Sequence, residues 1–286
     1  MATPLPTAYF NGSYLPLADV HVPPLDRGFL YGDAVYEVIP VHAGAAFLLD
    51  PHLARLERSL RELRIRNPLS RGEWAAIVTG LVERNGARNA AVYLQVSRGA
   101  DTGRDHVFPG EHVQPTVFGM VTPVADPRPE RGIDAITLED QRWGRCDIKS
   151  TALLANVLAR QAAREAGAGE AILLRDGQLS EGSASSVIIV ERGELVRRPD
   201  GNDVLPGTTS EAVFAIAKAA GFRCRVEPVS EARLRSADEI WVTAATRGID
   251  PVVRLDGKLV GDGRPGPVWL TVSAAFDATR PGEAQP

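Results

Sequence analysis

The sequence has few lysines, few cysteines and no long apolar run. Only three of its 32 basic residues are lysine, so 29 are arginine. Cys146 and Cys224 have no metal-ligand spacing and form no disulfide framework, which favours a reducing cytoplasm. No run of about 18 apolar residues exists, and the N-terminal MATPLPTAYFNG lacks the basic and apolar parts of a signal peptide. We therefore expect a cytoplasmic protein with no membrane partner and no metal.

An excess of positive charge is also absent. The formal net charge is -4 and the sequence pI is about 5.8, so the chain has no basic footprint for nucleic acid. A small-molecule substrate is the expected partner. A chain of 286 residues is long enough for one large domain or two domains of about 100 to 200 residues each.

Helical and strand patterns alternate along the chain without a strict βαβ repeat, which predicts an α+β fold. Asn11-Gly12 predicts a hairpin, and apolar residues at 53, 56, 60 and 63 predict an amphipathic helix capped by Asp50. Further helices are predicted at about 70–85, 150–166, 209–220 and 267–278. Three prolines in TPVADPRPERG predict a linker at 122–132, between an N-terminal α+β domain at 1–121 and a C-terminal α+β domain at 133–286.

Lys149 is the lysine with the weakest structural explanation. Lys258 lies in a predicted turn and Lys218 near a helix C-terminus, where a cation is favoured. Lys149 lies in RCDIKS, where neither reason applies. A lysine can lose its proton and attack a carbonyl, whereas arginine cannot. The residue type therefore allows a Schiff-base role, and a snorkelling surface lysine is the alternative.

Three further features have both a functional and an ordinary interpretation. Glu181 lies among serines and glycine in QLSEGSASS, where a planar ligand has room, or where a solvated loop glutamate lies. The Thr208-Glu211 capping box after Gly207 predicts a helix start that either holds a phosphate or is an ordinary cap. Arg104 and His106 form a cationic pair that either clamps a carboxylate or is simply exposed.

Taken together, these segments resemble the fold type IV pyridoxal-phosphate aminotransferases, most closely the D-amino acid aminotransferase branch. The resemblance runs in order through DRGFLYGDAVYEV, HLARL, RDHVFP, RWGRCDIKS, EAILLRDGQLSEGSASS, VLPGTTS and IWVTAAT. It implies a two-domain fold with pyridoxal 5'-phosphate at the domain interface. It also implies a homodimer, in which loops from one subunit complete the other's site.

The resemblance also implies roles for individual residues. Lys149 is the Schiff-base lysine, placed in the C-terminal domain, and also the acid and base that moves the substrate proton. Glu181 pairs with the pyridine nitrogen of the cofactor. Arg142 contacts its phenolic oxygen, and Leu205 packs on its ring.

The phosphate of the cofactor is assigned to Arg55, Thr208 and Thr209 by the same resemblance. Ala244 and Ala245 stand where hydroxyl residues often help to hold the phosphate, so only backbone amides serve at Ala245. The substrate carboxylate is assigned to Tyr36, Arg104 and His106.

These assignments predict transfer of the amino group of a D-amino acid, of the D-alanine or D-glutamate type, to a 2-oxo acid by a ping-pong mechanism. The loop between Arg98 and Arg104 is one residue longer than is usual in the D-amino acid branch. Alternatives are a branched-chain L-amino acid transaminase, an (R)-amine transaminase, an aminodeoxychorismate lyase, and a pyridoxal-phosphate-binding protein without turnover.

Overall fold

A computed structural model describes residues 2–124 and 132–282 of the chain. Residues 125–131 of the predicted linker lie outside the described residues. Of the described residues, 2–124, 148–152 and 281–282 form a first compact unit, and 132–147 and 153–280 form a second. The residues around Lys149 thus group with the first unit, although they follow the predicted linker. The domain boundaries at 121 and 133 remain a prediction.

The first unit contains an antiparallel six-stranded sheet with the order β2-β1-β6-β5-β3-β4. Its strands are β1 Thr7–Phe10, β2 Ser13–Pro16, β3 Ala34–His42, β4 Ala45–Ala46, β5 Ala90–Ser97 and β6 Thr116–Pro123. Its helices are α1 Arg27–Tyr31, α2 Leu49–Glu62 and α3 Arg71–Arg84, and a 3-10 turn covers Leu17–Asp19.

Alternation along β3 and β5 decides which side chains enter the core of the first unit. Val35 and Ile39 of β3 are fully buried, whereas Tyr36 between them is half-buried. This period of two is what a strand with one covered face requires. Leucines of α2 and Trp74 of α3 pack into the same core, so both helices bury their apolar sides there.

The second unit contains a mixed nine-stranded sheet with the order β12-β11-β10-β13-β14-β7-β8-β9, and β15 pairs with β14. Its strands are β7 Ile133–Glu139, β8 Glu170–Arg175, β9 Gln178–Gly182, β10 Ser186–Glu191, β11 Glu194–Arg197, β12 Cys224–Val226, β13 Glu239–Ala244, β14 Gly248–Leu255 and β15 Lys258–Leu259. Its helices are α4 Leu154–Glu165, α5 Thr208–Ala219, α6 Glu231–Ser236 and α7 Pro267–Asp277. The α+β prediction is confirmed.

A buried carboxylate caps α7 from the neighbouring sheet. Glu239 on β13 accepts hydrogen bonds from the backbone N–H of Val268 at 3.0 Å and of Trp269 at 2.9 Å. It also accepts one from the indole of Trp241 at 2.9 Å. The first amides of a helix have no partner within the helix, so this negative side chain satisfies them and favours the positive end of the dipole.

Two predicted helix caps are wrong. Helix α2 begins two residues early, because Leu48 adopts a left-handed conformation (φ 54°) and becomes the N-cap in place of Asp50. Helix α5 begins at Thr208 itself, so Gly207 is the N-cap and Thr208 forms no capping box with Glu211. The capping box of Ser70 and Glu73 is confirmed. Among the described residues, no helix has both the length and the apolar character to cross a membrane.

An ion cluster joins β3 to α2 inside the first unit. Glu37 lies on the covered face of β3 and is fully buried. One of its oxygens accepts a hydrogen bond from Nε of Arg55 at 2.7 Å, and the other accepts from Nη2 at 2.9 Å. Nδ1 of His52, also fully buried, lies 2.8 Å from the second oxygen. A carboxylate only accepts, so His52 carries its proton on Nδ1.

The cluster fixes the charge of its members. Burial opposes ionisation of Glu37, but the charge and hydrogen bonds of Arg55 and His52 outweigh it and lower the pKa of Glu37 from 4.5 to about 2. Burial also lowers the pKa of His52, and Glu37 offsets this only in part. At neutral pH the cluster therefore holds a carboxylate, a guanidinium and a neutral imidazole.

We expect Glu37→Gln to lower the free energy of unfolding by about 3 to 5 kcal/mol, because it leaves a buried guanidinium without its counter-charge. The folded-state pKa of Glu37 is lower than the unfolded one, so its stabilisation is full above pH 4.5 and is lost as the pH falls toward 2. The difference in thermal midpoint between the two proteins should therefore shrink in acid.

Glu57→Gln is the matched control for this measurement. Glu57 lies on α2, the helix that carries Arg55, and pairs with Arg71, but both of these side chains are partly exposed to solvent. An ion pair at the surface contributes little, so this variant should melt close to the parent protein. Equal destabilisation by both substitutions would contradict the account of the buried cluster.

Candidate active site

Lys149 is fixed through its backbone. Its carbonyl accepts a hydrogen bond from the N–H of Tyr36 on β3 at 2.9 Å, and its own N–H donates to Oγ of Ser59 on α2 at 3.2 Å. Ser150 forms a bridge with Val35, and Ile148 is buried in the core of the first unit. The segment therefore follows the edge of β3, which explains why it groups with that unit.

The amine of Lys149 lies over an aromatic ring. Its Nζ is 4.4 Å from the centroid of the Tyr36 ring, and that ring stacks on Tyr93 with centroids 5.6 Å apart. Within the described parts of the chain, this amine has no carboxylate partner. A cation on a ring face is attracted without being neutralised by a counter-charge. The arrangement leaves the amine available for bond formation.

Arg104 and His106 lie in the loop between β5 and β6 and are exposed. Both approach Tyr31 at the end of α1. Cζ of Arg104 is 5.1 Å from the centroid of the Tyr31 ring, and the His106 ring is 5.3 Å from it. Among the described residues, no hydrogen bond, ion pair or ring contact joins Arg104 or His106 to Tyr36 or Lys149. The structure thus brings Arg104 and His106 together at Tyr31, but neither of them contacts Tyr36.

Glu181 and Arg142 form a buried ion pair in the second unit. Nη1 of Arg142 donates to Oε1 of Glu181, which lies on β9. Asp140 accepts from Nε and Nη2 of the same guanidinium at 2.8 Å each, and the carbonyl of Asp203 accepts from Nη2 at 3.0 Å. The backbone N–H of Leu205 donates to the other oxygen of Glu181 at 3.3 Å. Both oxygens of Glu181 are therefore held by donors.

Asp140 is a member of this network that the sequence interpretation missed. Burial raises its pKa, but the hydrogen bonds and charge of Arg142 outweigh this and lower the pKa to about 2. Burial alone would lower the pKa of Arg142, but the bonds to Asp140 and the charge of Glu181 raise it well above its ordinary value. The signal in the sequence was Asp140 two positions before Arg142, in EDQRW.

The start of α5 forms a polar cradle. Thr208, Thr209 and Ser210 are all buried in the first turn, where backbone N–H groups point out of the helix. A Cβ on Gly207 would overlap the present position of Oγ of Ser186, so the glycine allows a close approach between these two residues. Buried hydroxyls at the positive end of a helix dipole suit an anionic group such as a phosphate.

The other predicted phosphate residues lie in separate elements. Ala245 is half-buried in the turn that joins β13 to β14. Arg55 lies on α2 of the first unit, where Glu37 binds its Nε and Nη2. This bidentate pairing fixes the orientation of the guanidinium plane.

Two of the serines that follow Glu181 in the sequence form hydrogen bonds to a buried carboxylate. Oγ of Ser183 and of Ser185 both donate to the buried carboxylate of Glu170, the latter at 2.9 Å. Nη1 of Arg247 lies 3.1 Å from the same carboxylate. The sequence suggested room for a ligand at these serines, whereas two of them satisfy a buried charge.

The side chains present fit the groups of pyridoxal 5'-phosphate. Lys149 offers an amine for an aldehyde, and Glu181 offers a buried carboxylate for a ring nitrogen. The start of α5 offers buried hydroxyls and amides for a phosphate. No group of His, Cys, Asp and Glu in the described residues has the geometry of a metal site.

Known proteins resemble this chain over most of its length. Residues 34–255 match the family model for amino-transferase class IV. The chain is 38% identical over 269 residues to a D-alanine aminotransferase of Bacillus licheniformis, covering 93% of this chain and 94% of that protein. It is 34% identical to a D-alanine aminotransferase of Staphylococcus haemolyticus, covering 94% and 96%.

Solved structures of branched-chain amino acid aminotransferases have the same fold. The enzyme from Escherichia coli matches with a TM-score of 0.88 at 27% identity, covering 98% of this chain and 96% of that chain. The T.th. enzyme with pyridoxamine 5'-phosphate matches with a TM-score of 0.87 at 25% identity, covering 96% and 94%. This chain therefore belongs to the class IV aminotransferases, the pyridoxal-phosphate-dependent transaminases of fold type IV.

Proposed function

We propose that this protein is a D-amino acid aminotransferase that moves the amino group of D-alanine or D-glutamate to a 2-oxo acid by a ping-pong mechanism. The observation that carries the proposal is the pair of Arg104 and His106 on the ring of Tyr31, in a chain whose sequence relatives include several D-alanine aminotransferases. A guanidinium and an imidazole on one loop suit a substrate carboxylate.

Lys149 is proposed to hold the cofactor covalently and to move the proton. When bound, pyridoxal phosphate supplies an electron sink for the pair left behind when the proton leaves Cα of the substrate. The amine of Lys149 would be the base that takes this proton from Cα and the acid that delivers it to C4′ of the cofactor. Its fixed backbone and the ring of Tyr36 limit where that amine can reach.

Glu181 and Arg142 are proposed to set the charge at the cofactor ring. Glu181 is to pair with the ring nitrogen, and a carboxylate that stays anionic keeps that nitrogen protonated. Arg142 holds Glu181 in this form and is itself proposed to contact the phenolic oxygen. Leu205, whose N–H binds Glu181, is proposed to pack on the ring.

The phosphate is proposed to bind Arg55, Thr208, Thr209 and the backbone of Ala245. The fixed guanidinium of Arg55 and the cradle at the start of α5 support this assignment. Tyr36, Arg104 and His106 are proposed to bind the α-carboxylate of the substrate.

A branched-chain L-amino acid transaminase is the second candidate. The likeness to the Escherichia coli branched-chain enzyme at a TM-score of 0.88 favours it. An amine transaminase would have no use for a carboxylate clamp, and a carrier without turnover would need no ring carboxylate such as Glu181.

The proposed reaction predicts that cofactor-loaded protein loses its visible absorbance rapidly with D-alanine. L-leucine and (R)-1-phenylethylamine, added separately, should react far more slowly. Faster loss with L-leucine would establish the branched-chain alternative, and faster loss with the amine would remove the clamp from the mechanism.

Replacement of the proposed Schiff-base lysine tests its role in catalysis. Lys149→Ala should lower turnover of D-alanine with 2-oxoglutarate by at least about 100-fold, since general acid-base catalysis alone supplies that much. Lys218→Ala, at an exposed lysine of α5, is the control and should keep its activity. Turnover by Lys149→Ala near that of the parent would remove this residue from the mechanism.

Replacement of Arg104 tests the carboxylate clamp. We expect Arg104→Leu to raise KM for D-alanine by roughly 10- to 100-fold, because a hydrogen bond to a charged group contributes about 1.5 to 3 kcal/mol. KM for D-alaninol, which has no carboxylate, should change little. Arg71→Leu removes another arginine of the first unit and serves as the control. Equal rises for the two substrates in Arg104→Leu would refute the clamp.

We also propose that the protein is a homodimer whose partner subunit supplies the clamp loop. Arg104 and His106 make no contact with Tyr36 or Lys149 among the described residues, as expected if the partner subunit supplies the clamp. Helix α4 presents Leu154, Val157 and Leu158 at 82%, 59% and 67% exposure on one side. Such a stripe at helical spacing marks a surface for association.

Light scattering should therefore give twice the chain mass. Leu158→Arg places a charge on the α4 stripe and should shift the protein toward the monomer with loss of transamination. Leu270→Arg is the matched control, because Leu270 is an exposed helical leucine of α7 at 57% exposure. A parent protein of single-chain mass would contradict the proposal.

The cytoplasm is proposed as the location. Cys146 and Cys224 are both free thiols in the structure, as a reducing compartment permits. Amino acids and 2-oxo acids are the small-molecule partners of an aminotransferase.

A further inference from the structure

The loop that carries Arg104 and His106 lies between β5 and β6 and has no helix or strand of its own in residues 101–112. A side chain that must hold a carboxylate needs a backbone that stays in place. Regular hydrogen bonding within the loop does not supply this. The anchors come instead from arginine and aromatic side chains of the first unit.

Arg27 binds the backbone of this loop at three successive residues. It is buried, at 5% exposure, at the start of α1. Its Nη1 donates to the carbonyl of Asp105 at 2.6 Å and to that of Val107 at 3.2 Å. Its Nη2 donates to the carbonyl of His106 at 3.3 Å. One planar guanidinium thus fixes the peptide units on both sides of His106.

Asp33 holds Arg27 in this position. The Oδ2 of Asp33 accepts from Nε of Arg27 at 2.9 Å and from Nε of Arg98 at 2.7 Å. Burial opposes ionisation of Asp33, but the bonds from Arg98 and Arg27 outweigh it and lower its pKa. Arg98 in turn lies 3.8 Å from the ring centroid of Phe108, a second anchor on the same loop.

Tyr31 anchors the side chains of the loop. The Cζ atoms of Arg27 and Arg104 lie 4.8 and 5.1 Å from its ring centroid, and the His106 ring lies 5.3 Å away. The Tyr31 hydroxyl is buried and has no hydrogen-bond partner in the described structure. The contacts that Tyr31 makes are therefore those of its ring, and cations are attracted to an aromatic face.

We propose that Arg27 and Tyr31 are positioning residues that set the affinity for the substrate α-carboxylate, Arg27 by fixing the backbone of residues 105–107 and Tyr31 by orienting Arg104. This inference rests on the proposed role of Arg104 and His106 as the carboxylate clamp. Neither residue need touch the substrate. Their effect is confined to substrates that carry a carboxylate.

The test compares D-alanine with D-alaninol, which differ at the group that the clamp binds. The loss of visible absorbance of cofactor-loaded protein is followed by stopped flow, and the apparent Kd and the maximal rate are obtained for each. Tyr31→Leu is expected to raise the apparent Kd of D-alanine by roughly 2- to 30-fold, the range of a cation-π contact. Arg27→Lys is expected to raise it by a similar factor, because hydrogen bonds to the loop backbone are lost. The maximal rate, the Kd for D-alaninol and the affinity for pyridoxal phosphate should stay near those of the parent.

Tyr31→Phe separates the ring from the hydroxyl. It keeps the aromatic face, so it should raise the apparent Kd of D-alanine much less than Tyr31→Leu does. Equal losses in these two variants would overturn the role of the ring. Arg27→Lys keeps a positive charge beside Asp33, but its three N–H groups cannot serve Asp33 and three carbonyls at once, so it weakens the backbone anchor without leaving Asp33 unpaired. Thermal melting of every variant identifies one that fails to fold.

Arg104→Leu, measured in the same way, distinguishes failure of this inference from failure of the clamp. If Arg104→Leu weakens binding of D-alanine but not of D-alaninol, and Tyr31→Leu and Arg27→Lys leave both unchanged, this inference is wrong but the carboxylate clamp is supported. If Arg104→Leu has no selective effect, the clamp itself is wrong and the inference with it. Parallel losses for both substrates in the Arg27 and Tyr31 variants would show a merely structural role.

Discussion

The ion pair between a buried carboxylate and an arginine is the interaction on which both units depend. Glu37 with Arg55, Asp33 with Arg98, and Asp140 with Arg142 are pairs of this kind. A buried charge is costly unless it is paired, and in each pair the arginine lowers a carboxylate pKa that burial alone would raise. The planar fork of arginine can satisfy two carboxylate oxygens at once, which lysine cannot do. The arginine-rich composition matches this demand.

Lysine is left for a different task. Lys149 is half-buried, with its amine over the ring of Tyr36 and with no carboxylate to fix it among the described residues. The structure thus separates two kinds of cation. Arginines such as Arg55 and Arg142 are paired with carboxylates, whereas the amine of Lys149 contacts an aromatic ring and is held through its backbone. That division suits a group that must form and break a covalent bond during turnover.

The same carboxylates fix the arginines of the proposed site. Arg142, itself held by Asp140, donates to Glu181, the residue proposed to pair with a ring nitrogen. Glu37 fixes the guanidinium plane of Arg55, the residue proposed to bind a phosphate. Asp33 likewise fixes Arg27 of α1, which binds the backbone of the loop that carries Arg104 and His106. In each case a carboxylate outside the proposed set of ligand-binding residues fixes a neighbouring arginine.

The sequence by itself determined the elements and the chemistry of single residues. The alternation in AVYEV predicts a strand, and the apolar spacing of HLARLERSL predicts α2, because both signals are local. The chemistry of Lys149 as the one unexplained amine was readable from residue types. Helix starts were less readable, since the cap at Leu48 depends on the backbone angle of a single residue.

Only the tertiary structure decided the partners. Arg142 meets Glu181 39 positions away, and Arg27 meets the carbonyl of Asp105 78 positions away. The return of the Lys149 segment to the first unit likewise follows from its pairing with β3, which no local pattern contains. Such contacts depend on how distant strands and loops pack together. Residue types and local patterns therefore identified candidate residues such as Lys149 and Glu181. The groups that arginines such as Arg142 and Arg27 bind depended on the packing of distant segments.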